Sequence, residues 1–530
     1  MDRWRWRFQV LLAIVIAIPL AIGIYAAVRF LPDRPVTYSN IEDHFKYGST
    51  GGERVSGFPY WIWRVLPIVF KDRLPQTGGQ GYEAFGMIYE KDANGKTRDL
   101  PIGVMQRRNM GIDRVFVNCA VCHHSTYRTA PNQPHQIVLG MPSNRFDLGA
   151  FENFLITIVA DERFDKDYLV PAIEKESGGL SFIDKYLIYP VAISLMRDRL
   201  MMLRNRFAPM KPQDWGPGRV DTFNSAKALF NYPFHNMQQY TPDEMIGVAD
   251  FPSIWNQGPR EGMQLHWDGN NCRVDERNKS AAFGTGTTPA TIDLASIARI
   301  ERWLNDDLKA PKWPEQAYPI DRKLAEQGKA VYLQHCARCH GNSGTDFTSN
   351  CTNPVPQKVA IARCEMQGPN VPYGDCAGQV TLLGDIKTDP YRLYSYTYDL
   401  AANQSQLYAP APYRFKHFRK TYGYANVPLD GIWIRGPYLH NGSVPTLRDL
   451  LKPAAQRPRF FYRGYDVLDP TDVGFVWNVK EQGGIKFWPF WTHDPKTGKP
   501  IPGNDNAGHE YGATLSEPEK NALLEHLKTF

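Results

Sequence analysis

The sequence carries little net charge and few long hydrophobic runs, and both shortages exclude whole classes of protein. Across 530 residues, 61 Lys and Arg stand against 55 Asp and Glu, a net charge of +6. No basic stripe interleaved with aromatic side chains occurs, so we expect no nucleic acid partner. Beyond residue 30 no apolar run is long enough to cross a bilayer, which excludes a protein with many membrane spans. A hydrophobic fraction of 42% fits a globular chain of two or three domains.

One uncharged run at the N-terminus is long enough to form a membrane-spanning helix. Residues 10–28 contain no charged side chain, and three arginines lie among the seven residues at the start of the chain. The positive-inside rule then predicts a cytoplasmic stub at 1–9, an anchor at 10–29 and the bulk of the chain outside. A cleaved signal peptide is the alternative, but the run is long and no small-residue cleavage site precedes Arg29. We therefore predict a single-pass protein of the bacterial inner membrane, with most of the chain in the periplasm.

Two copies of the pattern Cys-x-x-Cys-His predict covalently attached haem. Each thiol of such a motif adds to one porphyrin vinyl group, and the histidine binds the iron as its proximal ligand. The copies are Cys119–His123 and Cys336–His340. A disulfide, half of a zinc site and a thioredoxin-like redox pair are the alternatives, but two complete copies in one chain favour haem. We therefore predict two haem c groups, held through Cys119, Cys122, Cys336 and Cys339, with His123 and His340 on the two irons.

The remaining cysteines fit the oxidising compartment that haem c attachment implies. They are Cys272, Cys351, Cys364 and Cys376. Disulfides persist outside the bacterial cytoplasm, so we expect one or two bridges among them. Four cysteines allow three pairings, and the sequence does not separate these. Three of the four lie within 341–380, a stretch rich in Gly, Asn and Pro that a disulfide would hold together.

The pattern of helix and turn signals predicts a mainly α fold. We expect two cytochrome-c-like haem domains with long loop-rich insertions, preceded by the N-terminal transmembrane helix. Prolines near residue 311 mark the boundary between a first domain at 30–310 and a second at 311–530. Helices are predicted at 147–160, 186–203 and 291–308, the second either packed on a domain or lying on the membrane. Asn94-Gly95 predicts a hairpin between Met87–Tyr89 and Leu100–Ile102.

The second domain has the terminal helices of a small cytochrome c. Asp321 can cap a helix that runs to about Leu333, and Ser516 opens a helix near the C-terminus. In small cytochromes c, the helix before the haem motif crosses the last helix. Gly328 would allow the close approach that this crossing needs, because glycine has no Cβ.

The ligand opposite each proximal histidine decides whether an iron transfers electrons or binds a reactant. In small cytochromes c, that ligand lies on the loop before the last helix, which makes His509 the first choice opposite His340. His440 is the second choice and His493 the third. His124 directly follows a proximal histidine and cannot reach the opposite face of that haem. For the first haem the candidates are His135, His235 and His266, and each of them also fits a structural role.

Four further segments accompany the haem motifs. They are His266–Asn271, Glu276–Asn278, Tyr438–Leu447 and Gly508–Gly512. Together, over roughly residues 80–530, they resemble the bacterial di-haem cytochrome c peroxidase superfamily, and in particular its rubber-oxygenase, RoxA-like branch. The resemblance implies two mostly helical haem domains whose haems face each other across an interface. The first haem is then the reaction site, open to dioxygen on its distal face, and the second passes electrons.

The resemblance also assigns roles to individual residues. His123 becomes the proximal ligand of the reactive haem, with Trp267 and Phe283 lining its distal side. His340 and His509 become the two ligands of the second haem. The segment that carries His440 then places that residue between the domains, without contact to iron.

The chain departs from the superfamily in three respects. Typical peroxidases place methionine opposite the histidine of the electron-entry haem, whereas a pair of histidines would give a lower potential. No distal glutamate is evident, since Glu276 is more simply interpreted as an ion-paired surface residue. The rubber oxygenases are secreted, whereas this chain carries an anchor.

Two functions are therefore predicted. In the first, the chain is an oxidoreductase that activates peroxide or dioxygen at the first haem, while the second haem transfers electrons. In the alternative, both irons have two protein ligands and the chain only carries electrons. Either function needs a redox partner protein or a quinone-linked donor, with the membrane contacted through the N-terminal helix. The sequence does not predict an oligomeric state.

Overall fold

The computed structural model describes residues 2–530 except residues 93, 209, 211–214, 232–238, 350, 367–370 and 408–413. Over this part of the chain the fold is mainly helical with many loops. The earlier helices are α1 (Asp2–Phe30), α2 (Ile41–Tyr47), α3 (Tyr60–Val69), α4 (Leu148–Ile158), α5 (Lys166–Ser177), α6 (Tyr189–Phe207), α7 (Thr222–Ala226), α8 (Val274–Gly284) and α9 (Leu294–Asp306). The later helices are α10 (Arg322–His335), α11 (Ala337–His340), α12 (Gln357–Glu365), α13 (Leu383–Ile386), α14 (Tyr391–Ser395), α15 (Tyr398–Leu407), α16 (Leu447–Leu450) and α17 (Glu517–Leu527).

The strands are short and pair antiparallel. They are β1 (Arg34–Pro35), β2 (Phe58–Pro59), β3 (Val104–Asn109), β4 (Ile112–Val117), β5 (His124–Tyr127), β6 (Gln136–Leu139), β7 (Arg219–Val220), β8 (Ala249–Asp250), β9 (Val380–Leu382), β10 (Gly423–Ala425), β11 (Phe460–Arg463), β12 (Leu468–Asp469), β13 (Gly474–Phe475), β14 (Glu481–Gln482), β15 (Ile485–Lys486) and β16 (Trp488–Trp491). One sheet has four strands in the order β1-β3-β4-β2, and the others are two-stranded pairs.

The N-terminal helix α1 stands outside the packed part of the protein. Its residues Arg3–Phe30 form a helix long and apolar enough to cross a membrane, and none of its apolar stretch is buried in the protein. Burial in a core therefore does not explain its apolar character. A signal sequence would have the same length and composition, so the anchor at 10–29 stays a prediction.

The predicted hairpin is present only in part. Around Asn94-Gly95 the chain does turn back, with a hydrogen bond from the Ile102 N–H to the Ile88 carbonyl at 2.8 Å. This segment forms only the single bridge Lys91–Thr97 rather than regular strands. The regular hairpin is β3–β4 instead, joined by Met110-Gly111, whose φ angles of 50° and 78° both lie in the left-handed region. Such turns suit the strand twist, but Met is an uncommon residue there, which is why the sequence did not reveal it.

Most of the predicted helices are confirmed. Helices α4, α6 and α9 correspond to the predictions at 147–160, 186–203 and 291–308. Helix α10 is capped by the Asp321 side chain, which accepts hydrogen bonds from the Lys323 and Leu324 N–H groups at 3.0 Å. Helix α17 opens with a capping box between Ser516 and Glu519. These signals act within one helical turn, so the sequence alone reveals them.

Helices α10 and α17 cross at Gly328, as predicted. A Cβ added at this position would lie 1.8 Å from the Ala522 carbonyl oxygen in α17. Only glycine permits this approach of the two backbones. Around the crossing lies an apolar core that includes Tyr332, Leu523 and Trp433. A separate apolar core is built from α3, α4, α5 and α6 in the N-terminal part.

Two disulfides join the four remaining cysteines, in one of the three predicted pairings. Cys351 bonds Cys376 within the 341–380 stretch. Cys272 bonds Cys364 over 92 residues and so connects the segment before α8 to α12. The Cys272–Cys364 bond therefore links the part of the chain that contains the first motif to the part that contains the second motif.

Candidate haem sites

The first Cys-x-x-Cys-His motif directly follows β4, where Asn118 turns the chain. Its side-chain oxygen accepts a hydrogen bond from the Ala120 N–H at 2.9 Å, which caps the short turn Cys119–Val121. Its amide nitrogen donates to the carbonyls of Phe45 at 3.3 Å and Gly48 at 3.1 Å. The motif is thereby fixed to the end of α2 as well as to the sheet.

The ring of His123 is oriented by a backbone carbonyl. Its Nδ1 lies 3.0 Å from the carbonyl oxygen of Pro252, two residues after β8. Burial lowers the pKa of His123 to about 3, so the ring is neutral at physiological pH. A neutral imidazole that donates from Nδ1 has its Nε2 lone pair available for a metal.

A cavity of about 270 Å³ lies beside this motif. Its lining includes Cys119, Cys122, His123, Phe251, His266, Trp267, Arg277 and Phe418. A smaller cavity of about 60 Å³ shares Pro252, His266, Trp267 and Arg277 with it and is also lined by Val427. The two cavities therefore connect the surroundings of the first motif with the segment that orients the second.

Of the two aromatic residues expected on the distal side, the structure brings Trp267 to the cavity. Its indole N–H donates to the Asp250 carbonyl at 2.7 Å, which fixes the ring. Phe283 packs against Phe415, which in turn packs against Phe418, with ring centres 5.6 Å and 5.4 Å apart. Among the described side chains, the ring of this cluster that lines the cavity is Phe418. The expected position of Phe283 is thus taken by a residue far away in sequence.

Of the three histidines considered for the first haem, the structure brings His266 to the cavity. Its Nδ1 lies 2.5 Å from the Asn270 side-chain oxygen, and burial lowers its pKa to about 4. His135 instead contacts Asp466, with 2.6 Å between Nδ1 and Oδ2. His235 lies outside the described residues. His124 is buried with its Nδ1 2.5 Å from the Ala120 carbonyl, which fits its interpretation as a residue that does not bind iron.

The histidine of the second motif is oriented by a backbone carbonyl, as is the histidine of the first. The Nδ1 of His340 lies 2.8 Å from the carbonyl oxygen of Val427, two residues after β10. The Tyr332 hydroxyl, fully buried in α10, donates to the Gly341 carbonyl at 2.8 Å and holds the end of the motif. Each motif histidine is therefore oriented by a carbonyl that follows a strand of a two-stranded sheet.

His509 faces His340. The ring centres lie 6.0 Å apart, with an angle of 40° between the planes. Two metal–imidazole bonds of about 2 Å, extended to the ring centres, need a separation of about 6 Å. The Nδ1 atom of His509 is buried and has no hydrogen-bond partner among the described residues, and burial lowers the pKa of the ring to about 3. Two neutral imidazoles at this spacing fit an iron between them.

The loop that carries His509 is held by Arg457. This buried guanidinium donates to the carbonyls of Asn506 at 2.5 Å, Gly508 at 2.8 Å and His509 at 3.3 Å. The His509 N–H donates to the Ile386 carbonyl at 2.9 Å. Gly508 has φ 75°, and a Cβ there would lie 2.4 Å from the same Ile386 oxygen. Tertiary contacts therefore set the position of the ring.

The two other candidates opposite His340 lie elsewhere. His440 is buried and stacks on Tyr424 with ring centres 4.1 Å apart, and its Nε2 lies 3.1 Å from the Tyr424 hydroxyl oxygen. His493 contacts Thr492, with 2.9 Å between Nδ1 and the hydroxyl oxygen. Of the three, His509 is the one whose ring the structure brings against His340.

The four motif cysteines are free thiols, whereas the other four are disulfide-bonded. Burial raises the pKa of Cys119 to about 11 and that of Cys336 to about 12. A thioredoxin-like pair needs the opposite shift. Among the described residues, no group of three or more His, Cys, Asp or Glu side chains gathers in a metal-holding arrangement. The thiols fit thioether attachment best.

Two adjacent charged residues of α8, Glu276 and Arg277, have surroundings that the sequence did not predict. Glu276 is buried rather than on the surface, and it accepts a hydrogen bond from His417 Nδ1 at 2.8 Å. Arg277 lines both cavities, a role that the sequence did not suggest. Its spacing to Ala281 and Gly284 on α8 was the available signal, because residues four and seven apart share one face of a helix.

Comparison with known proteins supports a haem-containing cytochrome. Residues 423–462, which include Tyr424, His440 and Arg457, match the family model described as RoxA-like, cytochrome c-like. This match implies a haem c cofactor. The uncharacterised protein y4iJ of Sinorhizobium fredii is 27% identical over 482 residues, which cover 78% of this chain and 76% of that protein. The uncharacterised protein y4iM of the same organism is 30% identical over 234 residues, 43% of this chain and 50% of that protein.

Proposed function

We propose that the protein is a di-haem c-type cytochrome of the RoxA-like branch in the di-haem cytochrome c peroxidase superfamily, acting as an oxidoreductase on peroxide or dioxygen. The observation that carries this proposal is an asymmetry between the two motif histidines. His123 lies beside a cavity of about 270 Å³, whereas His340 faces the ring of His509 at 6.0 Å. An iron with a free axial position binds and activates dioxygen or peroxide, whereas one with two histidines transfers electrons.

The residues of the chain have distinct tasks in this proposal. Cys119 and Cys122 hold the first haem, with His123 on its iron. Cys336 and Cys339 hold the second, with His340 and His509 as ligands. These two sets correspond to the proposed domains 30–310 and 311–530.

The cavity beside His123 has a mixed lining. The Trp267 ring and the Phe418 ring cover part of its wall and would keep water from that side of the reacting atoms, whereas Arg277 and Glu301 add charged groups. The Trp267 N–H is already bound to the Asp250 carbonyl, so the indole acts through its shape rather than as a donor. Phe283 supports Phe418 through Phe415.

The chain is proposed to be anchored in the bacterial inner membrane with its bulk in the periplasm. Helix α1 supports this location through its length and its exposed apolar surface. The two disulfides also suit a compartment outside the cytoplasm. The electron partner is then a periplasmic redox protein or a quinone-linked donor in the same membrane.

The visible spectrum of the purified protein tests this function. After reduction, carbon monoxide is expected to bind one haem of two, because His340 and His509 would both hold the second iron, whereas His123 alone would hold the first. Mass spectrometry should find two porphyrins on the intact chain. If carbon monoxide binds neither haem, the chain does not activate dioxygen. If no porphyrin mass is present, the identification of the chain as a c-type cytochrome is wrong.

One observation favours the electron-carrier alternative. His266 lines the cavity beside His123, and the contact of its Nδ1 with Asn270 leaves Nε2 free to bind a metal. If His266 is a sixth ligand, the wild-type protein will not bind carbon monoxide, but His266→Ala will. If both forms bind it equally at one haem, the carrier alternative is wrong.

A further inference from the structure

Arg277 is a half-buried cation on a cavity wall, with no carboxylate partner among the described residues. It begins the second turn of α8 and lines both the larger and the smaller cavity. No hydrogen bond or ion pair of its guanidinium occurs among the described residues. Burial lowers its pKa to about 10, so the group is still charged at neutral pH. A cation held in a cavity without a partner favours a ligand of opposite charge beside it.

Most of the other charged groups around the two cavities are already paired. The exception is Glu301 on the wall of the larger cavity, which has no ion pair among the described residues and accepts a hydrogen bond from the Asn278 side-chain amide at 3.3 Å. Arg392 donates to Asp268 at 2.8 Å, and Asp250 accepts from Arg463 at 2.8 Å. Arg260 and Arg435 of the smaller cavity both pair with Asp430. Among the described cations of the two cavities, Arg277 is therefore the one without an ion pair, and it lies on the wall that the Cys119 and His123 side chains share.

We infer that Arg277 binds a carboxylate inside the cavity beside His123. A planar guanidinium matches a carboxylate with two parallel hydrogen bonds, so the chemistry of the site selects this ligand class. The inference rests on the proposed function, because the porphyrin attached to Cys119 and Cys122 would bring propionate carboxylates into the same cavity. A small carboxylate substrate is the other source of the same chemistry.

The test compares the intact haem-loaded protein with Arg277→Gln. If the carboxylate is a porphyrin propionate, the variant should have a lower midpoint potential at the first haem, because a negative charge there loses its counter-charge. The second haem should keep its potential. Arg302→Gln is the matched control, since Arg302 is exposed on α9, and it should change neither potential. Arg277→Met, which keeps an aliphatic stem, repeats the measurement if the Gln variant does not fold.

Acetate distinguishes the two sources. If a small carboxylate binds, titration of the wild type with acetate should give a saturable change in the visible spectrum that Arg277→Gln lacks. If a propionate fills the site, acetate should have no effect on either protein. Unchanged potentials together with identical acetate titrations would overturn the inference, while two porphyrins on the chain would still support the proposed function.

A separate observation concerns the outer surface of the N-terminal part. A helical turn at Asp184–Ile188 leads into α6, and together they expose a stripe of large apolar side chains. The stripe consists of Phe182, Tyr186, Leu187, Val191 and Leu195, which are between 50% and 77% exposed. The opposite side of α6 is buried through Tyr189, Ile193, Met196 and Leu200. Monomeric proteins rarely expose a continuous apolar stripe without a binding role.

The stripe lies beside the end of the proposed membrane span. Arg29, in the last turn of α1, forms an ion pair with Asp184, which stands between Phe182 and Tyr186 in sequence. The point where the chain leaves the bilayer is therefore also the place where the stripe begins. The geometry points to the bilayer surface as its occupant, with the aromatic and aliphatic side chains dipping into the headgroup region. This contact would hold the haem domains at a defined orientation to the membrane.

Photoactivatable lipids test this surface on the full chain in lipid nanodiscs. A diazirine-bearing lipid should label the peptide that contains 182–195, and Leu187→Ser with Leu195→Ser should reduce that labelling. Tyr398 and Tyr511, exposed on the later part of the chain, are the control surface and should stay unlabelled. Labelling confined to α1 would overturn the assignment, as would cross-linking of the stripe to a second copy of the chain.

Discussion

The imidazole rings of His340 and His509 lie opposite each other with their centres 6.0 Å apart and their planes tilted by 40°, although 169 positions separate them in the chain. His340 is oriented by the Val427 carbonyl, and the loop of His509 is held by Arg457. Independent parts of the fold therefore bring two neutral rings to the spacing that one iron needs.

Replacing His509 by alanine should convert the proposed second haem to a high-spin form, because its iron would lose one of its two histidine ligands. The visible spectrum and electron paramagnetic resonance measure this change. His440→Ala is the control, since His440 stacks on Tyr424 instead. A high-spin second haem in His440→Ala, with an unchanged His509→Ala spectrum, would reverse the ligand assignment.

Gly328→Ala should destabilise the packing of helix α10 against helix α17. An ideal Cβ added at position 328 would lie 1.8 Å from the carbonyl oxygen of Ala522 and would overlap it. Both atoms are attached directly to the backbone, so neither can move aside unless its helix shifts. Forcing the helices apart should lower the free energy of unfolding by about 3 kcal/mol. Thermal unfolding followed by circular dichroism measures the effect. Gly384→Ala is the control, because a Cβ there meets no atom within 4 Å, and an equal loss in both variants would refute the argument.

The two disulfides should contribute unequally to stability. Removing Cys272–Cys364, which spans 92 residues, should cost about 4.5 kcal/mol, since a long loop gains more freedom in the unfolded chain. Removing Cys351–Cys376, which spans 25 residues, should cost about 3.5 kcal/mol. Urea unfolding of the two double serine variants gives both values. A larger loss for the shorter loop would contradict the loop-length argument.

Asp466 should make the free energy of unfolding depend on pH in the acid range. Burial by itself would raise the pKa of Asp466, but hydrogen bonds from His135 and Thr126 outweigh it and hold the pKa below the usual value. A lowered pKa in the folded state contributes stability above the unfolded value of about 3.9, and this is lost as the pH falls below it. Urea unfolding at pH 7 and pH 3 measures the difference.

Asp466→Asn is the matched variant for this dependence. It leaves the buried guanidinium of Arg128, now 2.8 Å from Asp466 Oδ1, without its charge partner. The expected cost at pH 7 is about 3 kcal/mol. The difference in stability between the two proteins should shrink at pH 3, because Asp466 is then largely protonated in the unfolded wild type while it is still ionised in the folded protein. A constant difference across this range would show that Asp466 acts by packing alone.

Part of the candidate site could be predicted because its signals are local. The Cys-x-x-Cys-His spacing is set by covalent chemistry, and the Asp321 cap and the Ser516 capping box act within one helical turn. Gly328 was also predictable, since the crossing of two helices at a glycine needs no information beyond the helices themselves. The hairpin β3–β4 was missed because its Met110-Gly111 turn has no common turn composition.

The sequence by itself determined the chemistry that the chain carries. It contains two pairs of thiols, each pair followed by a histidine, as well as four further cysteines and one long apolar helix. Only the tertiary structure decided which distant side chains meet. It selected His509 rather than His440 against His340, paired Cys272 with Cys364, and brought Phe418 and Arg277 rather than Phe283 to the cavity. The physical reason is the separation in sequence of the residues that interact. Covalent motifs and helix caps involve neighbours in sequence, whereas ligand pairs and cavity walls depend on how the whole chain packs.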